Sequence, residues 1–218
     1  MRAPKIVGVI FSRADLERAV LMRKPPDLFE LRLDRLIKTA IAPLPAPLIL
    51  TARDPREGGA NNLSASRRRA LLLEFLPRAK YIDVELRSAR ALHSVLESAS
   101  ENNVETILSF HDFETTPSVA RLDDIASRGR SLGAAVIKVA TRTDTPAQLD
   151  RLLDFFDHHR QTSDVVAMGI GKLGRTSRLE LARRGCILNY AHLGSPVAAG
   201  QLSIQDLRRF ASRREAVS

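Results

Sequence analysis

The feature that most constrains the fold of this chain is a regular alternation of short, apolar, β-branched segments with longer segments of helical period. The candidate strands are residues 6–11, 28–33, 48–52, 81–86, 106–110, 134–140, 165–168 and 187–190. The candidate helices are residues 14–22, 66–76, 88–98, 119–132, 147–156, 178–184 and 204–210. Strands that alternate with helices in this way indicate an α/β fold built on a parallel sheet.

Eight strands within 218 residues predict a (β/α)8 TIM barrel, as a single catalytic domain over residues 1–218. The competing architecture is an open doubly wound sheet, which carries a G-x-G-x-x-G loop after its first strand. Here the first strand reads GVIF at residues 8–11, and no linker rich in Pro, Gly or Ser divides the chain. The proline-rich segment 34–47 leaves room for a short helix only.

Local signals mark where several helices begin. Thr116 and Thr145 each precede a proline, which predicts an N-cap residue followed by proline at the first helical position. Ser203 and Asp206 have the spacing of a capping box. These signals predict helix starts directly after the fifth, sixth and eighth strands.

The composition excludes several classes of protein. A single cysteine, Cys186, cannot form an internal disulfide or a multi-cysteine zinc site, and we expect it to be a buried, inert thiol. No stretch reaches the roughly 18 apolar residues of a membrane span, and the first twenty residues do not resemble a signal peptide. The expectation is a cytoplasmic protein that does not associate with membranes.

The formal net charge of +9 leaves open nucleic acid, an anionic membrane or a small anionic substrate as the partner. Arginine clusters at 67–69, 183–184, 208–209 and 213–214 lie in predicted helices, where solvated helix faces explain them. The chain has ten aromatic residues, eight Phe and two Tyr, and no nucleic-acid-binding motif. We therefore expect no nucleic-acid partner. His93, His158 and His159 are also expected on helix surfaces.

Polar residues recur at the carboxyl ends of the predicted strands, two positions apart and therefore on one face. Polar side chains in this position are typical of a barrel active site, because an apolar core does not tolerate unpaired charges. The same-face pairs in strands two to six are Glu30 with Arg32, Thr51 with Arg53, Asp83 with Glu85, Ser109 with His111, and Val136 with Lys138.

Lys138 and His111 are the strongest candidates for chemistry. Lys138 lies in an apolar run, where burial disfavours the charged form of an amine and a neutral amine can form a Schiff base with a carbonyl. The alternative is a structural ion pair with Glu30 or Glu85. His111 is either a hydrogen-bonded structural residue or a base that acts beside Lys138 from the adjacent strand.

Six segments match, in order, the motifs of a known family. They read FELRLD (29–34), TARDPREGG (51–59), SFHDFETTP (109–117), IKVA (137–140), MGIGKLGRTSR (168–178) and AGQLS (199–203). Together they resemble the type I 3-dehydroquinate dehydratases, Schiff-base hydro-lyases of the shikimate pathway that fold as the same barrel. The resemblance covers nearly the whole chain.

The resemblance implies conversion of 3-dehydroquinate to 3-dehydroshikimate and water. Lys138 would form the Schiff base, His111 would move the proton, and Glu57 would orient the histidine or the lid. The resemblance also implies a homodimer in which neither a metal nor a cofactor takes part. The implied substrate-binding residues are Glu30, Arg32, Arg53, Arg178 for the carboxylate, and Gln201 in the lid.

One observation argues against an aldolase, and one residue departs from the family pattern. A class I aldolase also uses a barrel lysine, but it needs a phosphate site after strands seven and eight, whereas Arg178 suits a carboxylate. The family lid reads SAPGQ, and here Val197 replaces the serine. Either Ser195 makes the missing contact, or the carboxylate depends on Arg178 and Gln201.

Overall fold

The computed structural model describes residues 4–37 and 39–215, which form a curled parallel sheet surrounded by helices. The strands are β1 (Lys5–Ile10), β2 (Leu28–Arg32), β3 (Leu48–Thr51), β4 (Ala79–Glu85), β5 (Glu105–Asp112), β6 (Val136–Arg142), β7 (Val165–Ile170), β8 (Leu188–His192) and β9 (Leu202–Ser203). The helices are α1 (Arg13–Val20), α2 (Ala65–Phe75), α3 (His93–Glu101), α4 (Val119–Ser131), α5 (Pro146–His159), α6 (Gly174–Arg183) and α7 (Ile204–Glu215).

The order of the strands in the sheet is β7-β6-β5-β4-β3-β2-β1-β8-β9, and every pair is parallel. Because β8 pairs with β1, the sheet curls round as a barrel does, and the predicted (β/α)8 architecture is confirmed. No ladder joins β7 to β8 in the described part of the chain. Arg178 of α6 lines the cavity of about 10 Å³ between these two strands. The two-residue strand β9 was not predicted.

Successive side chains of each strand point to opposite faces, so one face packs in the apolar core and the other lines the site. In β2, Phe29 and Leu31 are fully buried, while Glu30 and Arg32 lie on the opposite face and line an interior cavity. Burial of an apolar side chain of this size contributes about 1.5–3 kcal/mol, so the face towards the helices supplies stability. The register pairs Ser109 with Lys138, which brings the polar faces of β5 and β6 side by side.

The helix starts follow the sequence signals with one exception. Thr145 forms a capping box with Gln148, and the Ser203 and Asp206 side chains each accept the other residue's backbone N–H, at 3.0 and 3.3 Å. The prediction for Thr116 was wrong, because α4 begins at Val119 with Ser118 as its N-cap. The Thr116 hydroxyl instead donates to the carbonyl of Arg142 at 2.7 Å, which ties the loop to β6.

The short helix expected within residues 34–47 is not found in the described residues of that segment, 34–37 and 39–47. The chain turns directly after β2, where the backbone N–H groups of Arg35 and Leu36 both donate to the carbonyl of Arg32. Three prolines then lie at positions 43, 45 and 47. Proline lacks an N–H donor and disfavours helical backbone in the residue before it, so no helix forms in the described part of this segment.

Two residues expected on helix surfaces are buried. Arg68 of α2 is 2% exposed and His159 of α5 is 4% exposed. His159 Nε2 lies 2.8 Å from Asp123 of α4. Helical periodicity could not show this, because the partner of each residue comes from a distant part of the sequence. No helix within the described ranges has the length and apolar character that crossing a membrane requires.

Candidate active site

A cavity of about 190 Å³ opens at the carboxyl end of the strands. All eight residues that the sequence predicted as catalytic or substrate-binding line this cavity: Glu30, Arg32, Arg53, Glu57, His111, Lys138, Arg178 and Gln201. They come from β2, from the segment after β3, from β5 and β6, from α6, and from the loop after β8. The barrel therefore brings together groups up to 171 positions apart in the sequence, from Glu30 to Gln201.

Lys138 lies at the base of this cavity on β6. Its Nζ donates to Asp83 Oδ2 at 2.8 Å and lies 3.7 Å from Glu30 Oε1. The same nitrogen lies 4.2 Å from the centroid of the Tyr190 ring. The ion pair predicted with Glu30 is present, but Asp83 is the nearer partner, and no ion pair between Lys138 and Glu85 occurs in the described structure. The amine is thus held in one position.

Arg53 fixes the carboxylate that holds the lysine. Its two terminal nitrogens each donate to an oxygen of Asp83 at 3.0 Å, and Nη1 also donates to Glu85 at 3.1 Å and to Ser109 at 2.7 Å. Burial by itself opposes ionisation of Asp83, but the charges of Arg53 and Lys138 outweigh burial and hold its pKa well below the usual range. Asp83 is therefore a permanent anion beneath Lys138.

Glu57 and His111 form a second pair on the cavity wall. Glu57 Oε2 accepts the backbone N–H of His111 at 2.9 Å and lies 3.0 Å from its Nδ1. Burial, followed by the charge of Glu85, raises the pKa of Glu57 to about 7. Burial, followed by the charges of Arg53 and Lys138, lowers the pKa of His111 well below its ordinary value. A neutral imidazole beside a titrating carboxyl group is suited to accept a proton near pH 7.

Glu30 and Arg32 are held in place by neighbouring side chains. Glu30 Oε1 accepts the hydroxyl of Thr51 at 2.8 Å. Arg32 forms a bidentate ion pair with Asp34, in which Nε donates to Oδ1 at 2.9 Å and Nη2 donates to Oδ2 at 2.8 Å. Burial opposes ionisation of Asp34, but hydrogen bonding to Arg32 and its charge lower the pKa of Asp34 overall. Both side chains are positioned before any ligand arrives.

Arg178 is a buried cation with no carboxylate partner among the described residues. Its Nε has no hydrogen-bond partner there, and Nη1 reaches only the carbonyl of Tyr190, at 3.4 Å. Burial lowers the pKa of Arg178 to about 10, which leaves the guanidinium charged at neutral pH. Because a buried and unpaired charge costs several kcal/mol, this position favours an anionic ligand.

Gln201 closes one side of the cavity from the segment that joins β8 to β9. Its Oε1 accepts the backbone N–H of Val197 at 2.8 Å, which folds the loop back on itself. Val197 and Ala198 also line the cavity, whereas Ser195 is exposed and does not. The hypothesis that Ser195 replaces the missing lid serine is therefore wrong for this conformation.

Among the residues of the cavity wall that were not predicted are Phe11, Arg35 and Tyr190. Tyr190 follows the inward alternation of β8, so strand periodicity could have identified it. Arg35 lies in the turn after β2, where no periodicity indicates the direction of a side chain. Its stacking on Phe11, from the end of β1, is visible only in three dimensions.

Comparison with known proteins gives a consistent result. The sequence model for type I 3-dehydroquinase matches residues 11–216. The 3-dehydroquinate dehydratase of Thermococcus gammatolerans is 34% identical over 209 residues, which cover 94% of this chain and 96% of that protein. The 3-dehydroquinate dehydratase of Desulfotalea psychrophila is 33% identical over 196 residues, which cover 86% of this chain and 87% of that protein.

A solved structure of a 3-dehydroquinate dehydratase has the same fold as this chain. The 3-dehydroquinate dehydratase of Geobacillus kaustophilus superposes with a TM-score of 0.88 at 25% identity, over 100% of this chain and 97% of that one. The fold, the near-complete coverage and the sequence identity of the relatives agree. The chain therefore belongs to the type I 3-dehydroquinase family and, with it, to the hydro-lyases.

Proposed function

We propose that this chain dehydrates 3-dehydroquinate to 3-dehydroshikimate through a Schiff base on Lys138. The observation that carries the proposal is the position of Lys138 Nζ at the base of the cavity, with the pair of His111 and Glu57 on the neighbouring wall. Family membership supports the reaction, and the geometry supports the assignment of roles. An amine and a base on adjacent strands suit chemistry at a ketone and at the carbon beside it.

In the first step, the amine of Lys138 attacks the ketone carbon. A C–N bond forms, and the carbonyl π electrons move to oxygen. The protons balance when they are counted on the ammonium form of Lys138, which carries three on its nitrogen. Two of them leave with the former carbonyl oxygen as water, and the third stays on the nitrogen of the iminium. Asp83 and Arg53 direct the amine into the cavity, and the anion of Asp83 offsets the iminium charge.

In the second step, the neutral imidazole of His111 removes a proton from the carbon next to the iminium. The electrons of that C–H bond move into the iminium to give an enamine. The hydroxyl on the next carbon then leaves as water, with the proton that His111 returns, and hydrolysis of the iminium frees Lys138. Glu57, 3.0 Å from Nδ1, stabilises the transient imidazolium.

Substrate binding follows from the charges of the wall. We assign the carboxylate to Arg178, the buried guanidinium without a carboxylate partner in the described structure. Glu30, Arg32 and Arg53 are assigned to the ring hydroxyls, and Gln201 to closure over the ring. The homodimer and the cytoplasmic location that the resemblance implies stay predictions.

Borohydride trapping tests this proposal. The protein is incubated with 3-dehydroquinate and sodium borohydride, and its intact mass and peptide map are measured. We expect a single reduced adduct on Lys138, which Lys138→Met abolishes together with product formation. Lys172→Met is the matched control, because Lys172 is exposed and does not line the cavity. Wild-type protein that gives neither an adduct nor the enone product contradicts the proposal.

A further inference from the structure

Arg35 is a cation at the mouth of the cavity, and the proposed chemistry leaves it without a role. The turn after β2 positions it, with its backbone N–H donating to the carbonyl of Arg32 at 3.0 Å. The guanidinium carbon lies 3.7 Å from the centroid of the Phe11 ring, and both side chains line the cavity. Stacking of a planar guanidinium on an aromatic face holds the charge in place while the residue remains exposed to solvent.

The guanidinium of Arg35 forms no ion pair with a carboxylate in the described structure, although the charge of Asp34 acts on it. Arg32 occupies both oxygens of Asp34, at 2.9 and 2.8 Å. In the described ranges, no ion pair or hydrogen bond holds the guanidinium of Arg35. Burial, followed by the charge of Arg32, lowers the pKa of Arg35 and outweighs the opposing charge of Asp34. Arg35 therefore places a positive charge at the mouth that no ion pair compensates in the described structure.

The cavity contains a second guanidinium without a carboxylate partner in the described structure, that of Arg178. Arg178 is 8% exposed and lies deep in the cavity, whereas Arg35 is exposed at the rim. Val197 and Ala198 of the loop after β8 add apolar side chains to the lining of the cavity. An anion that enters the cavity thus meets Arg35 before it reaches Arg178.

We propose that Arg35 is a recruiting and specificity-determining residue, which attracts carboxylate-bearing ligands to the mouth and passes them to Arg178. The inference rests on the proposed function for the identity of the substrate, but the capture of a carboxylate does not require catalysis. A charge at the rim of a site acts mainly on the rate of association and on its dependence on salt.

The first test is the kinetics of Arg35→Ala. We expect kcat/KM for 3-dehydroquinate to fall about tenfold at low ionic strength, with kcat nearly unchanged and with a shallower dependence of kcat/KM on salt. Arg35→Lys keeps the charge and should restore most of the salt dependence. Arg69→Ala removes an exposed arginine of α2 outside the cavity and should behave as the wild type.

The second test separates this inference from the proposed reaction. Binding of quinate, which keeps the carboxylate and hydroxyls but has no ketone, is measured by calorimetry at two salt concentrations. Quinate binding that weakens in Arg35→Ala supports the inference even if the wild type shows no turnover. An Arg35→Ala variant with unchanged kcat/KM and quinate affinity overturns it, as does a wild type that binds neither ligand.

Discussion

At the scale of single residues, the site depends on a contrast between two buried acids, Asp83 and Glu57. Asp83 is kept ionised by Arg53 and Lys138, whereas burial and the charge of Glu85 raise the pKa of Glu57 to about 7. Asp83 is therefore a fixed negative charge, whereas Glu57 titrates near neutral pH. Environments that separate two carboxyl groups in this way indicate different roles for them.

Glu57→Gln tests whether the Glu57 carboxylate controls His111. Since the pKa of Glu57 is about 7 in the ligand-free protein, we expect kcat/KM of the wild type to rise with pH through an apparent pKa near this value. The variant has no titrating carboxyl group at this position, so this limb disappears and kcat/KM above it falls by about 10²-fold. Steady-state kinetics as a function of pH measure both effects. An unchanged acid limb in the variant would contradict the assignment.

The pH dependence of stability tests the pKa of Glu57 independently of catalysis. Folding raises the pKa of Glu57 from 4.5 to about 7, so the folded state favours the protonated form. Its contribution to stability is complete below the lower value and is lost as pH rises through the higher one. The Tm of the wild type should therefore fall more than that of Glu57→Gln across this range.

The sequence predicted the residues to which we assign the chemistry, but not their surroundings. Lys138 and His111 could be found because a polar residue in an apolar strand interrupts a simple pattern, and two-residue alternation predicts the direction of its side chain. The ion pair of Lys138 with Asp83 could not be assigned, since Glu30 and Glu85 were equally plausible from spacing. The side chain of Arg35 lies in a turn, for which no periodic rule exists. The choice among partners depends on strand register and side-chain conformation.

At the scale of secondary-structure elements, the network around Arg68 links α2 to the site. Arg68 Nε donates to the carbonyl of Ala52 at 2.7 Å, and Nη1 donates to Asp54 and Ser88 at 3.0 and 3.1 Å. Nη2 contacts Glu85. Asp54 caps the short 3₁₀ turn Pro55–Glu57, so this network positions the segment that carries Glu57.

Arg68→Met should therefore destabilise the protein strongly. The substitution removes a cation that is 2% exposed and leaves Asp54 and Glu85 with fewer partners. Removing one member of a buried ion pair costs about 3–5 kcal/mol. Urea denaturation measures this loss. The matched control is Arg67→Met at the neighbouring exposed position, and a loss for Arg68→Met no larger than for the control would refute the role of the network.

The elements themselves were predicted more completely than their contacts. All eight long strands and seven helices appear near their predicted positions, because burial of one face imposes a period on the sequence. The prediction of a short helix within residues 34–47 was wrong, because the prolines there prevent a helix in the described part of the segment. Arg68 was misplaced on the surface, because α2 presents arginines on both its buried and its exposed faces.

At the scale of the whole molecule, the net charge of +9 is the balance of many arginines that have carboxylate partners and others that have none in the described structure. Several arginines are neutralised within the fold, by carboxylates from their own helix or from distant strands. Examples are Arg13 with Glu17, Arg53 with Asp83, Arg68 with Glu85, Arg121 with Asp124, and Arg183 with Glu180. The remaining positive charge is distributed over the helices that surround the barrel.

Aromatic platforms for stacking are also scarce. Among the described residues, Phe113 is the one aromatic side chain in the set of exposed large hydrophobics, at 44% exposure, and it lies beside His111 at the cavity. Proteins that bind single strands combine a basic groove with several stacking rings. We therefore expect only weak binding to a single-stranded RNA, lost as salt rises to about 0.15 M. Filter binding at low and physiological salt measures this, and tight binding at the higher concentration would show that the arginines form a nucleic-acid site.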